Sequence, residues 1–189
     1  QIAGREVFKF DPQTAAIDLT SPKIHLPIDA VMALKDASEG YSRVAGPGMM
    51  RGEENIYDIG PETAKFFAEI IKDAKTIFFN GPMGWFERQE FSGGTRAVVE
   101  AISRTHGAWR AAGGGQTLEA IAKFKAEENF NFLSTGGGAM LEYLAGNVLP
   151  GIAALSDSPF GENEKPAIPM PLPAGGLSGH KKKNERNKD

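Results

Sequence analysis

The chain of 189 residues contains no cysteine. That excludes a disulfide framework, a thiolate nucleophile and Cys-bound zinc, and it is the usage expected in a reducing cytoplasm. Histidine is scarce. His25, His106 and His180 stand alone, without metal-ligand spacing or a Ser/Asp partner pattern, so they read as structural or exposed. No apolar run approaches the roughly 18 residues that a membrane helix needs, so no membrane partner is expected. The opening "QIAGREVFKF" has no signal-peptide core and no initiator Met, which reads as a chain trimmed or cut from something longer. A net charge of −3 leaves no global positive field, so nucleic acid is not expected as a partner.

What is present is ordinary in amount and unusual in arrangement. A hydrophobic content of 41% and a charged content of 24% fit one globular domain with a tail, long enough to bury a core. Residues 1–22 show no clean period. "KIHLPIDAV" (Lys23–Val31) is apolar and β-branched, which predicts a buried strand. The polar, glycine-rich stretch from Ala33 to Glu54 predicts a long loop, and "NIYDIG" a short strand. Pro61 then opens a helix, where its missing N–H costs nothing. Phe66, Phe67, Ile70 and Ile71 fall at helical spacing and predict one buried face.

From there a strand and a helix alternate three times. "KTIFFN", "GAWRAAGGG" and "NFNFLSTGGG" are short apolar runs ending in glycine. "SGGTRAVVEAISRT", "QTLEAIAKFKAE" and "AMLEYLAGN" are the helices between and after them, the last closed by Gly146. This order predicts a three-layer α/β fold, a doubly wound parallel sheet with right-handed crossovers. After Asp157 the chain is rich in Pro, Gly and Lys and lacks apolar periodicity, which predicts a disordered tail over 157–189. The Lys181–Lys183 run reads as solvated.

Three glycine-bearing loops, "NGPMG" (80–84), "GGGQT" (113–117) and "STGGG" (134–138), each follow a predicted strand and precede a predicted helix. The carboxyl ends of parallel strands form a ligand edge, where glycine permits close backbone approach. Helix starts there present unpaired N–H groups and partial positive charge, which suit a polyphosphate. Tight chain turning is the plain alternative for any one loop. None has the P-loop or the dinucleotide-fold spacing.

Together "YDIGPET", "FFNGPMGWFE", "GGGQT" and "LSTGGGAMLEYLAGNVLPGIAAL" resemble the C-terminal, nucleotide-binding domain of phosphoglycerate kinase, with "KIHLPIDAVMA" similar to the strand just upstream. The resemblance runs from about Lys23 to Ser156 and identifies 23–156 as an incomplete Rossmann-like domain. It implies a glycolytic, cytoplasmic phosphotransferase that moves a phosphoryl group between ATP and 3-phosphoglycerate with Mg²⁺. By motif, Glu87 accepts hydrogen bonds from the ribose hydroxyls and Pro82 lines the nucleoside pocket. Gly114, Gly115, Gln116 and Thr117 cradle phosphates, and Gly136, Gly137 and Gly138 face the phosphoryl group in transfer. Phosphoryl transfer suits such a set, since it needs positioning and charge stabilisation more than covalent chemistry.

Two departures bear on activity. The family has Asp where this chain has Gln116, so a neutral amide replaces a charge at the metal–nucleotide site. The basic patch for phosphoglycerate, the catalytic arginine and the phosphate-clamping lysines of the family have no counterpart here. Three readings stay open: a piece of a working kinase, a non-catalytic nucleotide-binding or interaction module, and an inactive truncated product. An incomplete parallel sheet also predicts self-association through an exposed edge. Trp85 and Phe86 read as packing residues, and Asp58 as a cap or turn acid.

Overall fold

The computed structural model describes residues 20–35 and 40–154. Most of the opening segment and the whole predicted tail lie outside the described residues. The chain forms two three-stranded sheets and five helices among those described.

The first sheet is antiparallel, in the order β2-β1-β3, from β1 (Ala30–Leu34), β2 (Ser42–Ala45) and β3 (Glu54–Ile59). The sequence predicts a strand over Lys23–Val31, yet the strand begins only at Ala30. Pro22 and Pro27 supply no N–H, and the N–H groups of Ile28 and Asp29 donate to the Thr63 hydroxyl, each at 3.0 Å, rather than to a neighbouring strand. The predicted loop from Ala33 to Glu54 also differs. It holds β2, which pairs with β1 from Ala30↔Ala45 to Ala33↔Ser42. Only four residues long, with no fully buried residue, β2 lacks the apolar run that would have marked it.

A buried ion pair closes this sheet. The Arg43 guanidinium grips Glu54 through Nε at 2.7 Å and Nη2 at 2.6 Å, and the Arg51 N–H adds a third donor at 2.7 Å. Bidentate geometry of this kind is the strong form of an Arg–carboxylate pair. Arg43 is the main reason that the Glu54 carboxyl is held down at about 2.

Helix α1 (Pro61–Lys72) starts without a local side-chain cap. Its cap comes from far upstream: Asp29 accepts from the Thr63 N–H at 2.7 Å and from the Glu62 N–H at 3.1 Å. Burial pushes the Asp29 carboxyl up. The Thr63 hydroxyl and these N–H donors outweigh burial, and the group ends below its ordinary value. Of the predicted apolar face, Phe67 and Ile71 pack on the core. Phe66 and Ile70 sit at the margin, more than a third exposed, Phe66 edge-on to His25 at 5.7 Å.

The second sheet is parallel, as the alternation predicts, in the order β4-β5-β6: β4 (Thr76–Phe79), β5 (Trp109–Gly113) and β6 (Phe132–Ser134). Helix α2 (Gly93–Arg104) joins β4 to β5, and α3 (Gly115–Lys123) joins β5 to β6. Strand alternation puts Ile77 and Phe79 into the core with Val98, Val99, Ile102 and Ile121. Phe78 points the other way and is 43% exposed. Helix α3 ends four residues short of the predicted Glu127, because Lys125 adopts φ 54°, in the left-handed region, which breaks the helical path. Helices α4 (Gly137–Leu144) and α5 (Pro150–Ala153) follow, with Gly146 at φ 80° after the end of α4. No helix among the described residues is long and apolar enough to cross a membrane.

Candidate functional site

The parallel register brings the carboxyl ends of β4, β5 and β6 to one edge, and all three glycine loops leave from it. They touch one another. The Gly114 N–H donates to the Ser134 carbonyl at 2.9 Å, which ties the second loop to the third. The Gly81 N–H donates to the Thr117 hydroxyl at 2.7 Å, which ties the first loop to the opening turn of α3. A Cβ on Gly137 would fall 2.8 Å from both Cα and N of Gly114. The two main chains therefore pack directly against each other. Gly114 itself has φ 97°, a conformation that glycine adopts without strain.

Of the residues singled out by sequence, Gly114, Thr117 and Gly137 meet at this junction, and Thr117 is buried. Gly115 and Gln116 lie exposed on the first turn of α3, and Gly136 and Gly138 are exposed on either side of Gly137. Pro82 is half-buried in the first loop. Glu87 is exposed on the continuation of that loop, outside the glycine junction. Its backbone is held: the Lys123 ammonium donates to the carbonyls of Phe86 at 2.6 Å and Glu87 at 3.0 Å.

Three residues to which the sequence assigned no role at the site support the first loop from behind. The Thr95 hydroxyl accepts from the N–H groups of Met83 at 3.0 Å and Gly84 at 3.3 Å. Asp58, fully buried, accepts from the Gly94 N–H at 2.6 Å at the start of α2 and from the Ile59 N–H at 2.9 Å. A Cβ on Gly84 would come within 2.3 Å of the Asp58 carboxylate, so loop and acid are in close contact. Burial pushes the Asp58 carboxyl up to about 6, against those two donors. Lys123 is the third. Trp85 packs in a stack with Tyr57 and Phe91, with the Arg88 guanidinium 5.3 Å from its ring centre, and Phe86 is buried.

The sequence model of the family described as phosphoglycerate kinase matches residues 13–147. The chain belongs to the phosphoglycerate kinase family. Two solved members are similar to it. The phosphoglycerate kinase from Coxiella burnetii is 37% identical over 70% of this chain and 34% of its own, with a TM-score of 0.62. The enzyme from Pyrococcus horikoshii OT3 is 37% identical over 71% of this chain and 33% of its own, with a TM-score of 0.59. The chain thus spans about a third of the length of these relatives.

The donor set at the glycine junction does not fit Mg²⁺. The cation favours carboxylates together with substrate phosphates. The exposed side chain on the first turn of α3 is Gln116, a neutral amide, and the neighbouring Thr117 offers a neutral hydroxyl that accepts from the Gly81 N–H. No group of three or more acidic, His or Cys side chains with metal-holding geometry occurs among the described residues.

Proposed function

We propose that this chain is the nucleotide-binding part of a phosphoglycerate kinase-type phosphotransferase, and that ADP or ATP binds along the edge formed by the three glycine loops. The observation that carries the reading is the direct Gly114–Gly137 main-chain contact, which joins the starts of α3 and α4. Two helix N-termini on one edge offer unpaired N–H groups and partial positive charge to a polyphosphate. Gly114, Gly115, Gln116 and Thr117 take the phosphates by main chain. Gly136, Gly137 and Gly138 face the group in transfer as a fixed dipole. Pro82 lines the nucleoside pocket, and the Glu87 carboxylate accepts from the vicinal ribose hydroxyls.

The three loops contain no Lys or Arg. Charge developing on a transferred phosphoryl group needs cations, so turnover with 3-phosphoglycerate requires groups beyond this edge. A glycolytic role would place the protein in the cytoplasm. Gln116 favours a second reading, a module that binds nucleotide without turning it over. Strand β6 supports self-association, since among the described residues it is an edge strand, and its Phe132 is 52% exposed.

Calorimetric titration with ADP, with and without Mg²⁺, tests the proposal. The expected result is saturable binding that Glu87→Ala weakens about tenfold or more, the loss of charge-assisted hydrogen bonds. No binding at millimolar ADP refutes it. Binding without phosphoglycerate-dependent turnover, even beside the remainder of a family enzyme, selects the second reading.

A further inference from the structure

Helix α3 touches the proposed nucleotide site at both ends. Its first residue, Gly115, follows Gly114 at the three-loop junction. Its last residue, Lys123, sends its ammonium to the loop that carries Glu87, donating to the carbonyls of Phe86 at 2.6 Å and Glu87 at 3.0 Å. Eight residues of rise separate the two ends, about 12 Å of rigid rod. Phe86 is 3% exposed, and the ammonium stands 6.0 Å from its ring centre. The loop is therefore pinned by a buried aromatic ring and by a cation bridging two consecutive carbonyls.

A lysine in the last turn of a helix has a common structural use, which is to cap the final carbonyls. Here those carbonyls have other partners. Ala120 accepts from the Phe124 N–H at 3.2 Å, Ile121 from Ala126 at 3.1 Å and Ala122 from Lys125 at 3.0 Å. The Lys123 ammonium is directed at the neighbouring loop instead. An ammonium brings three donors, enough to hold both carbonyls at once.

We infer that Lys123 is a positioning residue for the nucleotide, fixing Glu87 at a set distance from the phosphate-binding start of α3. The inference rests on the reading that Glu87 takes the ribose hydroxyls. It assigns α3 as a spacer between the ribose and phosphate ends of one ligand. Removing the ammonium frees the Glu87 loop without touching the phosphate cradle, so the loss falls on the ribose contact alone.

The test compares ADP with 2′,3′-dideoxy-ADP, which lacks both ribose hydroxyls, by calorimetry on the full chain and on Lys123→Met, Lys123→Gln and Lys123→Arg. The two neutral variants are expected to weaken ADP about tenfold and to leave dideoxy-ADP unchanged. Lys123→Arg, which still reaches both carbonyls, is expected to recover most of the loss. Wild-type-like ADP binding by the neutral variants overturns the inference. So does an equal loss for both nucleotides, which marks general support of the fold. Wild-type protein that binds ADP and dideoxy-ADP equally refutes the ribose reading itself, and the role of Lys123 falls with it.

Discussion

The contact between the second and third glycine loops can be tested by a single methyl group. In Gly137→Ala the new Cβ falls 2.8 Å from Cα and N of Gly114 and 3.1 Å from the carbonyl carbon of Gly113. Carbon atoms rest about 3.5–4.0 Å apart, so the loops must part by roughly 0.7 Å or more. All three atoms are main chain, and Gly114 is held by its hydrogen bond to the Ser134 carbonyl. No flexible side chain can yield. Overpacking of this kind costs about 1–3 kcal/mol. Ala gains at most about 1 kcal/mol over Gly within a helix, so the clash leaves a net loss of about 0–2 kcal/mol. For a chain of this size that lowers Tm by up to about 8 °C. Gly138→Ala is the control. Nothing lies within 4 Å of its Cβ, and the substitution is expected to raise stability by about 0.4–1 kcal/mol. Thermal unfolding followed by circular dichroism reads both. A Gly137→Ala protein stabilised like Gly138→Ala would refute this packing.

Two buried carboxylates give opposite pH dependences. Asp58 titrates at about 6 when folded against an ordinary 3.8. The folded state therefore holds the extra proton between those values, and stability falls as pH rises through that window, by roughly 3 kcal/mol in all. Asp58→Asn should flatten this slope in urea unfolding from pH 4 to pH 7, and an unchanged slope would exclude Asp58 as its source. Glu54 is held at about 2 against an ordinary 4.5, chiefly by Arg43. Its contribution is complete above pH 4.5 and is lost as pH falls toward 2. Arg43→Met should lower the urea midpoint at pH 6 and weaken the acid dependence below pH 4.5, whereas parallel acid profiles would remove the pair from the account.

The parallel half of the fold was legible because each strand is a short apolar run that stops at glycine, and each helix shows its period. The antiparallel half was not. β2 buries little, and the apolar stretch predicted as a strand contains Pro27 and turns its next two N–H groups to Thr63, so hydropathy pointed at the wrong residues. Helix caps were equally hidden. Asp29 and Asp58 reach the starts of α1 and α2 from 34 and 36 residues upstream; Asp29 falls inside a predicted strand, and the cap-or-turn reading of Asp58 gives no sign of which helix it serves. Among the candidate site residues the three loops were found by motif, but their supports were not. Lys123 binds backbone carbonyls, which every residue carries, so its partners leave no mark in the sequence. The end of α3 was missed for a related reason: a left-handed lysine at position 125 has no propensity signal.

The two glycine runs look uniform, yet the fold uses their members differently. Gly113 has the Met140 side chain where a Cβ would sit, Gly114 needs its positive φ, and Gly137 needs its missing Cβ. Gly115 and Gly138 have open space at that position and no positive φ, so the protein's own packing gives no reason for glycine there. Alanine would even strengthen both helices. These two unneeded glycines stand exposed in the first turns of α3 and α4, where the unpaired N–H groups are. What a missing methyl leaves at such a place is room for something outside the fold to reach the main chain. The internal demands account for the middle of the junction, and the proposed nucleotide would account for its rim, which three turns in mere contact would not.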